Sequence, residues 1–209
     1  MRNLRRAYYD RFSRYYDRFV AAHSSDAQGA ARTFLSDRVV VPEGGAVLDI
    51  CTGTGSLLLS LRGRAGASGL VAGADFSRGM LNAARAKMKM PANVVLVETD
   101  VASLPFAGRC FDAVTCSHAF YELKGETQGR TLREIVRVLK PCGTFFMMEH
   151  DVPRNPVVRT LFYLRLLSMG AGRAISILKH EREILGAHFG HIEKLVTPTG
   201  HSKVWVCRR

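Results

Sequence analysis

Val47-Leu48-Asp49-Ile50-Cys51-Thr52-Gly53-Thr54-Gly55 carries a short apolar run into a turn with two glycines, and a helix-like stretch follows at once. Glycines between a strand and a helix let a ligand approach bare backbone, and in an open sheet such a turn lies at the carboxyl ends of the strands. The alternation continues downstream. Apolar runs at 46–50, 70–74, 94–97, 111–116 and 144–148 are separated by helix-like stretches at 56–62, 77–90 and 126–139. Runs this short, without polar alternation, suit strands covered on both faces, with the intervening helices as the cover. The chain is therefore predicted to be an α/β protein with a doubly wound, mostly parallel sheet. Pro42, Pro91, Pro105 and Pro141-Cys142-Gly143 are expected between elements. After Pro156 an apolar helix is expected to reach about Met169, and a second to span 175–188. Two final runs, 192–197 and 203–207, joined at Pro198-Thr199-Gly200, read as an antiparallel hairpin that closes one sheet edge and brings the strands to seven.

Composition bounds the remaining classes. The 209 residues are 47% hydrophobic and carry 30 Lys plus Arg against 18 Asp plus Glu, a formal charge of +12. Such a chain is neither disordered nor collagen-like, and its length suits one core with a short appended element. The longest apolar candidate, 161–169, is interrupted by Arg165 and falls short of the roughly 18 residues that span a bilayer. The start, Met1-Arg2-Asn3-Leu4-Arg5-Arg6, lacks the apolar stretch of a secretory signal, so a cytoplasmic location is expected. Cysteines 51, 110, 116, 142 and 207 form no CxxC pair; buried, reduced thiols and no metal site are expected.

Residues 1–36 read as a helical cover ahead of a domain at 37–209. Within the cover, Tyr8-Tyr9-Asp10-Arg11-Phe12 returns seven residues later as Tyr15-Tyr16-Asp17-Arg18-Phe19. Two helical turns separate equivalent residues, so the aromatics are expected to share one face, either packed on the core or lying as a lid.

The glycine turn is the first candidate site. A dinucleotide fingerprint needs a third glycine, but the position after Gly53 and Gly55 is Leu58. Asp49 at the mouth would repel a pyrophosphate and favours a ligand with a cationic amino group. The second strand ends at Asp75, where a carboxylate can accept from both hydroxyls of a ribose. The third ends in Glu98-Thr99-Asp100-Val101, which offers an acceptor for an exocyclic amino group and, with Leu104, an apolar wall for a flat base. One strand-end Asp is readily a helix cap, but three on successive strands beside a glycine turn point to one ligand.

These residues, together with Gly73-Ala74-Asp75-Phe76-Ser77-Arg78-Gly79-Met80, Leu104-Pro105-Phe106, Cys110-Phe111-Asp112-Ala113-Val114 and Arg133 to Gly143, resemble the ordered motifs of class I S-adenosylmethionine-dependent methyltransferases over about residues 40–150. Cys51 to Gly55, Asp75-Phe76-Ser77 and Glu149 to Pro156 are most similar to the menaquinone and ubiquinone C-methyltransferases. The resemblance implies a Rossmann-like fold and S-adenosyl-L-methionine as cofactor. It places Asp49 and the backbone at Cys51, Gly53, Thr54 and Gly55 near the methionine moiety, Asp75 at the ribose, Met80, Asp100 and Val101 at the adenine, Ser117 beside the cofactor, and Phe76 among the cofactor-binding residues. Tyr9 or Tyr16 would reach over it. Two departures stand out: Cys51 replaces the usual first glycine of the class, and Ser117-His118-Ala119-Phe120-Tyr121-Glu122 stands where the quinone enzymes resemble Phe-Gly-Leu-Arg-Asn. This segment faces the acceptor, so His118 is the first candidate base, followed by Tyr121 and His150.

The expected activity is methyl transfer to a small, apolar or amphipathic acceptor, quinone-like or lipid-like. Two alternatives stay open: an NAD(P)-dependent oxidoreductase, against which the missing glycine and Asp49 count, and an RNA-modifying or nucleic-acid-binding protein, suggested only by charge. The charge is uneven: +4 on residues 1–20, +2 on 21–150 and +6 on 151–209. A nearly neutral core with basic ends favours an anionic substrate, an acidic partner or peripheral membrane contact over nucleic acid, and leaves a homodimer open.

Overall fold

Every predicted strand forms. The computed structural model describes residues 2–23, 29–123, 125–152, 155–168 and 172–209. Strands β1 (Ala46–Ile50), β2 (Leu70–Asp75), β3 (Val94–Glu98), β4 (Phe111–Ser117) and β5 (Leu139–His150) lie parallel, and β6 (His191–Val196) and β7 (Ser202–Arg208) add an antiparallel hairpin. The sheet order is β3-β2-β1-β4-β5-β7-β6. The chain reverses direction across the sheet between β1 and β4, and a ligand cleft is expected outside the strand ends there.

Side chains alternate across the sheet, and both faces are buried. Leu48, Ile50, Val114, Phe145 and Met147 face α5 (Glu126–Val138) and α7 (Gly172–Gly186), while Val47, Val71, Ala113 and Phe146 face α3 (Ser56–Ala65) and α4 (Arg78–Met88). Double burial is why the strands read as unbroken apolar runs. The helix after Pro156 is α6 (Pro156–Ser168).

Three expectations change. The helical stretch at 2–36 divides into α1 (Arg2–His23) and α2 (Ala30–Ser36), the latter beginning after Gly29 at φ 72°. Ala31 and Leu35 of α2 enter the core against α3, whereas α1 packs on α4. Pro141-Cys142-Gly143 lies inside β5 rather than between elements. Leu139 pairs with Phe111 and Thr144 with Ala113, so the intervening residues form a bulge, in which a Cβ on Gly143 would come within 2.9 Å of Leu139 Cδ2. The five cysteines are free thiols, but Cys142 on that bulge is exposed; Cys116 and Cys207 are buried, and burial pushes the Cys207 thiol up to about 12.

Candidate active site

Four loops leave the carboxyl ends of the neighbouring strands β1 to β4, along one edge of the sheet. The first is the glycine turn, with Cys51, Gly53 and Gly55 all at positive φ. Gly53 (φ 55°) has nothing within 4 Å of the position a Cβ would take, so bare backbone faces open space there. Gly55 (φ 72°) instead packs against α4, 3.0 Å from Ala84 Cβ.

Asp49 sits beneath this turn rather than at its mouth. It is 2% exposed, and its two carboxylate oxygens accept from Thr52 Oγ1 and Thr115 Oγ1, each at 2.6 Å. Burial raises its pKa to about 6 against the pull of those two hydroxyls. Asp75 ties two loops together: one oxygen accepts from Gly53 N at 2.9 Å and the other from Ser77 N at 2.9 Å. Burial holds this carboxyl above the usual range too. The amide of Phe76 lies against the same carboxylate, which still has acceptor capacity that ribose hydroxyls would use. Ser77 caps α4 by accepting from Met80 N, and Met80 itself is buried. Asp100 accepts from Ala102 N at 3.1 Å, beside buried Val101 and Leu104.

The fourth loop is the most unusual in its polar groups. Ser117 Oγ and His118 Nδ1 are buried without a hydrogen-bond partner among the described residues. His118 adopts φ 51°, its amide donating to Met148 O at 2.8 Å. Its imidazole is held well below the ordinary value by burial and then by His150, whose ring lies 4.5 Å away. The Tyr121 ring lies 5.9 Å from that of His150, and burial raises its phenol. The loop is braced by Glu149, 0% exposed, whose Oε1 accepts from Phe120 N at 2.8 Å and Tyr121 N at 3.4 Å. Burial, and then the charge of Glu181, raise the Glu149 carboxyl well above the usual value.

Helix α1 crosses all four loops. Asp17 accepts from Thr54 Oγ1 at 2.6 Å and pairs with Lys87 at 2.7 Å. Asp10 accepts from Ser77 Oγ at 2.6 Å and Gly79 N at 2.8 Å, at the start of α4. Arg6 pairs with Glu98, and Arg5 and Tyr9 Oη both reach Glu122 Oε2. The seven-residue repeat thus docks through its aspartates. Its aromatics divide: Tyr8 and Tyr15 are 59% and 62% exposed, whereas Tyr9 packs edge-on against Phe76 and Tyr16 turns inward near Asp75 and Glu122. The aromatic stripe expected from the spacing is therefore half solvent-facing. Asp10, Asp17, Glu122 and Glu149 were not among the predicted site residues; the two aspartates carry a signal in the repeat itself, whereas Glu122 and Glu149 become visible only through their partners.

The cleft fits an adenosyl amino acid: an open glycine backbone, an acid on each of β2 and β3, an apolar wall, and an orphaned buried hydroxyl at Ser117. Residues 47–143 match the model of a methyltransferase domain family. Over 172 residues the chain is 32% identical to a demethylmenaquinone methyltransferase of Staphylococcus saprophyticus, covering 81% of this chain and 73% of that enzyme. The chain belongs to the class I S-adenosylmethionine-dependent methyltransferases. It is also 32% identical to the demethylmenaquinone methyltransferase of Lactobacillus johnsonii, of which the aligned part is 62%, and 38% identical to the 2-phytyl-1,4-naphtoquinone methyltransferase of Nostoc punctiforme, of which it is 55%. Among solved structures, a Haloferax volcanii methyltransferase in complex with the Trm112 activator superposes with a TM-score of 0.72 at 22% identity, covering 96% of both chains. A methyltransferase of Aquifex aeolicus gives 0.63 at 18% identity, over 91% of this chain and 97% of that one. These sequence relatives are methyltransferases, so the oxidoreductase alternative is set aside. S-adenosyl-L-methionine is the cofactor of this family. Among the described residues no group of three His, Cys, Asp or Glu side chains is placed to hold a metal ion, and no helix is long and apolar enough to cross a membrane.

Proposed function

We propose that this methyltransferase methylates a quinone-like small molecule, a hydroxylated aromatic ring in its reduced form, with His118 as the group that takes the acceptor's proton. The observation that carries the role of His118 is its buried, unpartnered Nδ1 on a neutral imidazole at the end of β4, where the acceptor approaches. The quinone-like acceptor is supported by the names of the sequence relatives.

S-adenosylmethionine supplies an electrophilic methyl group whose bond to sulfur breaks as the bond to the acceptor forms, sulfur keeping the electron pair. The protein's share is positioning, proton handling and exclusion of water. Asp75 and Phe76 hold the ribose, Asp100, Val101 and Met80 the adenine, and the backbone from Cys51 to Gly55 the amino-acid end, with Asp49 setting the shape and charge of the turn from below. Ser117 Oγ is free to bond the cofactor or the acceptor. Tyr16 and the rest of α1 close over the cleft, and Tyr121 stands beside the histidine pair. A neutral His118 can accept a proton as the acceptor hydroxyl ionises, while a charged one would resist it.

The test is S-adenosylhomocysteine formation with reduced naphthoquinones lacking the ring methyl. His118→Ala should lower turnover on the order of a hundredfold, as loss of a general base does, with cofactor-product affinity unchanged. Turnover equal to the parent's removes His118 from the reaction, and no product across a panel of reduced benzo- and naphthoquinones removes the quinone-like acceptor.

A further inference from the structure

A second cavity lies two strands away from the methyl-transfer cleft, on the far side of β5. It measures about 400 Å³ and is roofed by α6 and α7 over the β6–β7 hairpin. Its apolar lining is Trp205 and Leu178, 6% and 4% exposed. Five cations from four elements line it: Arg159, Lys179, Arg182, Lys194 and Lys203, against Asp151 and Glu181.

The two acids are already neutralised. Lys194 Nζ lies 2.9 Å from Asp151, and Lys203 Nζ lies 2.6 Å from Glu181, which also accepts from Trp205 Nε1 at 2.8 Å. Lys179 leans over the Tyr163 ring at 5.2 Å. The guanidiniums of Arg159 and Arg182 enter no ion pair among the described residues, although they stand on facing helices at the same concavity. Like charges lining one concavity repel one another, and a concave, partly apolar wall strengthens the field. Planar guanidinium forks match the oxygens of phosphate in a way that a lysine point charge does not.

We propose that this cavity is a phosphate-binding site, held by Arg159 and Arg182 with Lys179 as a third cation, separate from the methyl-transfer cleft. The excess of three positive charges suits a dianionic phosphate group better than a single carboxylate. The phosphate can come from a soluble phosphate ester or from an anionic phospholipid headgroup, and the two sources are separable.

The probe for the first is inorganic phosphate, followed by calorimetry on the full chain. Saturable binding is expected, weakened roughly tenfold in Arg159→Gln and again in Arg182→Gln, the loss typical of a charge-assisted hydrogen bond. Affinity for S-adenosylhomocysteine should stay at the parent value in both variants, which shows that the fold and the transfer cleft are intact. The probe for the second is co-sedimentation with vesicles of phosphatidylcholine alone or mixed with phosphatidylglycerol. Sedimentation that needs phosphatidylglycerol and is lost in the double variant assigns the phosphate to a lipid headgroup. Phosphate binding without it assigns a soluble ester. No phosphate binding in the parent chain, or equal binding in parent and double variant, overturns the proposal.

Discussion

Asp49 shows how a residue can be placed correctly on the chain and still act differently from its expected role. Its carboxylate does not meet solvent at the cleft mouth; it is bonded to Thr52 and Thr115 under the glycine turn. Burial lifts its pKa from 3.8 to about 6, so the folded protein holds this proton to a higher pH than the unfolded chain does; its contribution to stability is greatest below the ordinary carboxyl value and is lost as pH rises through about 6. The cofactor is cationic at its amino group, and a cation nearby favours the charged carboxylate. Cofactor binding should therefore release a proton from Asp49, and affinity should rise with pH by up to about tenfold per unit below about pH 6. Titration of S-adenosylhomocysteine between about pH 5 and 7 checks this: the parent curve should slope and that of Asp49→Asn should be flat. A flat parent curve dissociates Asp49 from the cofactor.

At the scale of elements, α1 is the part of the molecule that the site depends on and that the core does not. It is held by polar anchors to the loops after β1, β2 and β4 and to Glu98 at the end of β3. Although partial burial pulls the other way, the Ser77 hydroxyl and Gly79 amide hold Asp10 below the usual carboxyl range, and Lys87 and Thr54 do the same for Asp17. Both carboxyls are depressed, so their anchoring is present above the ordinary carboxyl value and is lost as pH falls below about 4. The closest approach is at Gly79, where a Cβ would stand 2.6 Å from both Asp10 Cα and Asp10 O. Neither atom can swing aside, so Gly79→Ala should lift α1 from α4. Limited proteolysis should then cut within residues 2–23 faster than in the parent, and S-adenosylhomocysteine affinity should drop at least about tenfold, with circular dichroism of the remainder unchanged. Unchanged proteolysis would mean that α1 tolerates the displacement.

At the scale of the whole molecule, the sheet is stabilised by apolar burial on both faces, and a buried ion pair sits among those contacts. Lys203 and Glu181, 3% and 1% exposed, form a buried pair across β7 and α7, and Glu149 lies opposite Lys203 on the adjacent strand. Removing one partner of a buried pair leaves an uncompensated charge, so Lys203→Met should cost about 3–5 kcal/mol in denaturant unfolding. Pairing it with Glu181→Gln should recover most of that loss, since the orphaned charge is then gone. Equal destabilisation in the single and double variants would place the effect in packing instead.

The order of strands and helices, the parallel sheet and the cluster of strand-end acids were determined by the sequence itself, because double burial leaves unbroken apolar runs and the glycine turn needs positive φ at fixed positions. The tertiary structure alone decided which of those acids face the cleft and which lie beneath it, that the Tyr-Asp repeat docks through Asp10 and Asp17, that Glu149 braces the His118 loop, and that Arg159 and Arg182 share a cavity. Each of these joins residues far apart in the chain, and a hydrogen bond or an uncompensated charge depends on distance in space, which no local pattern of residue types encodes.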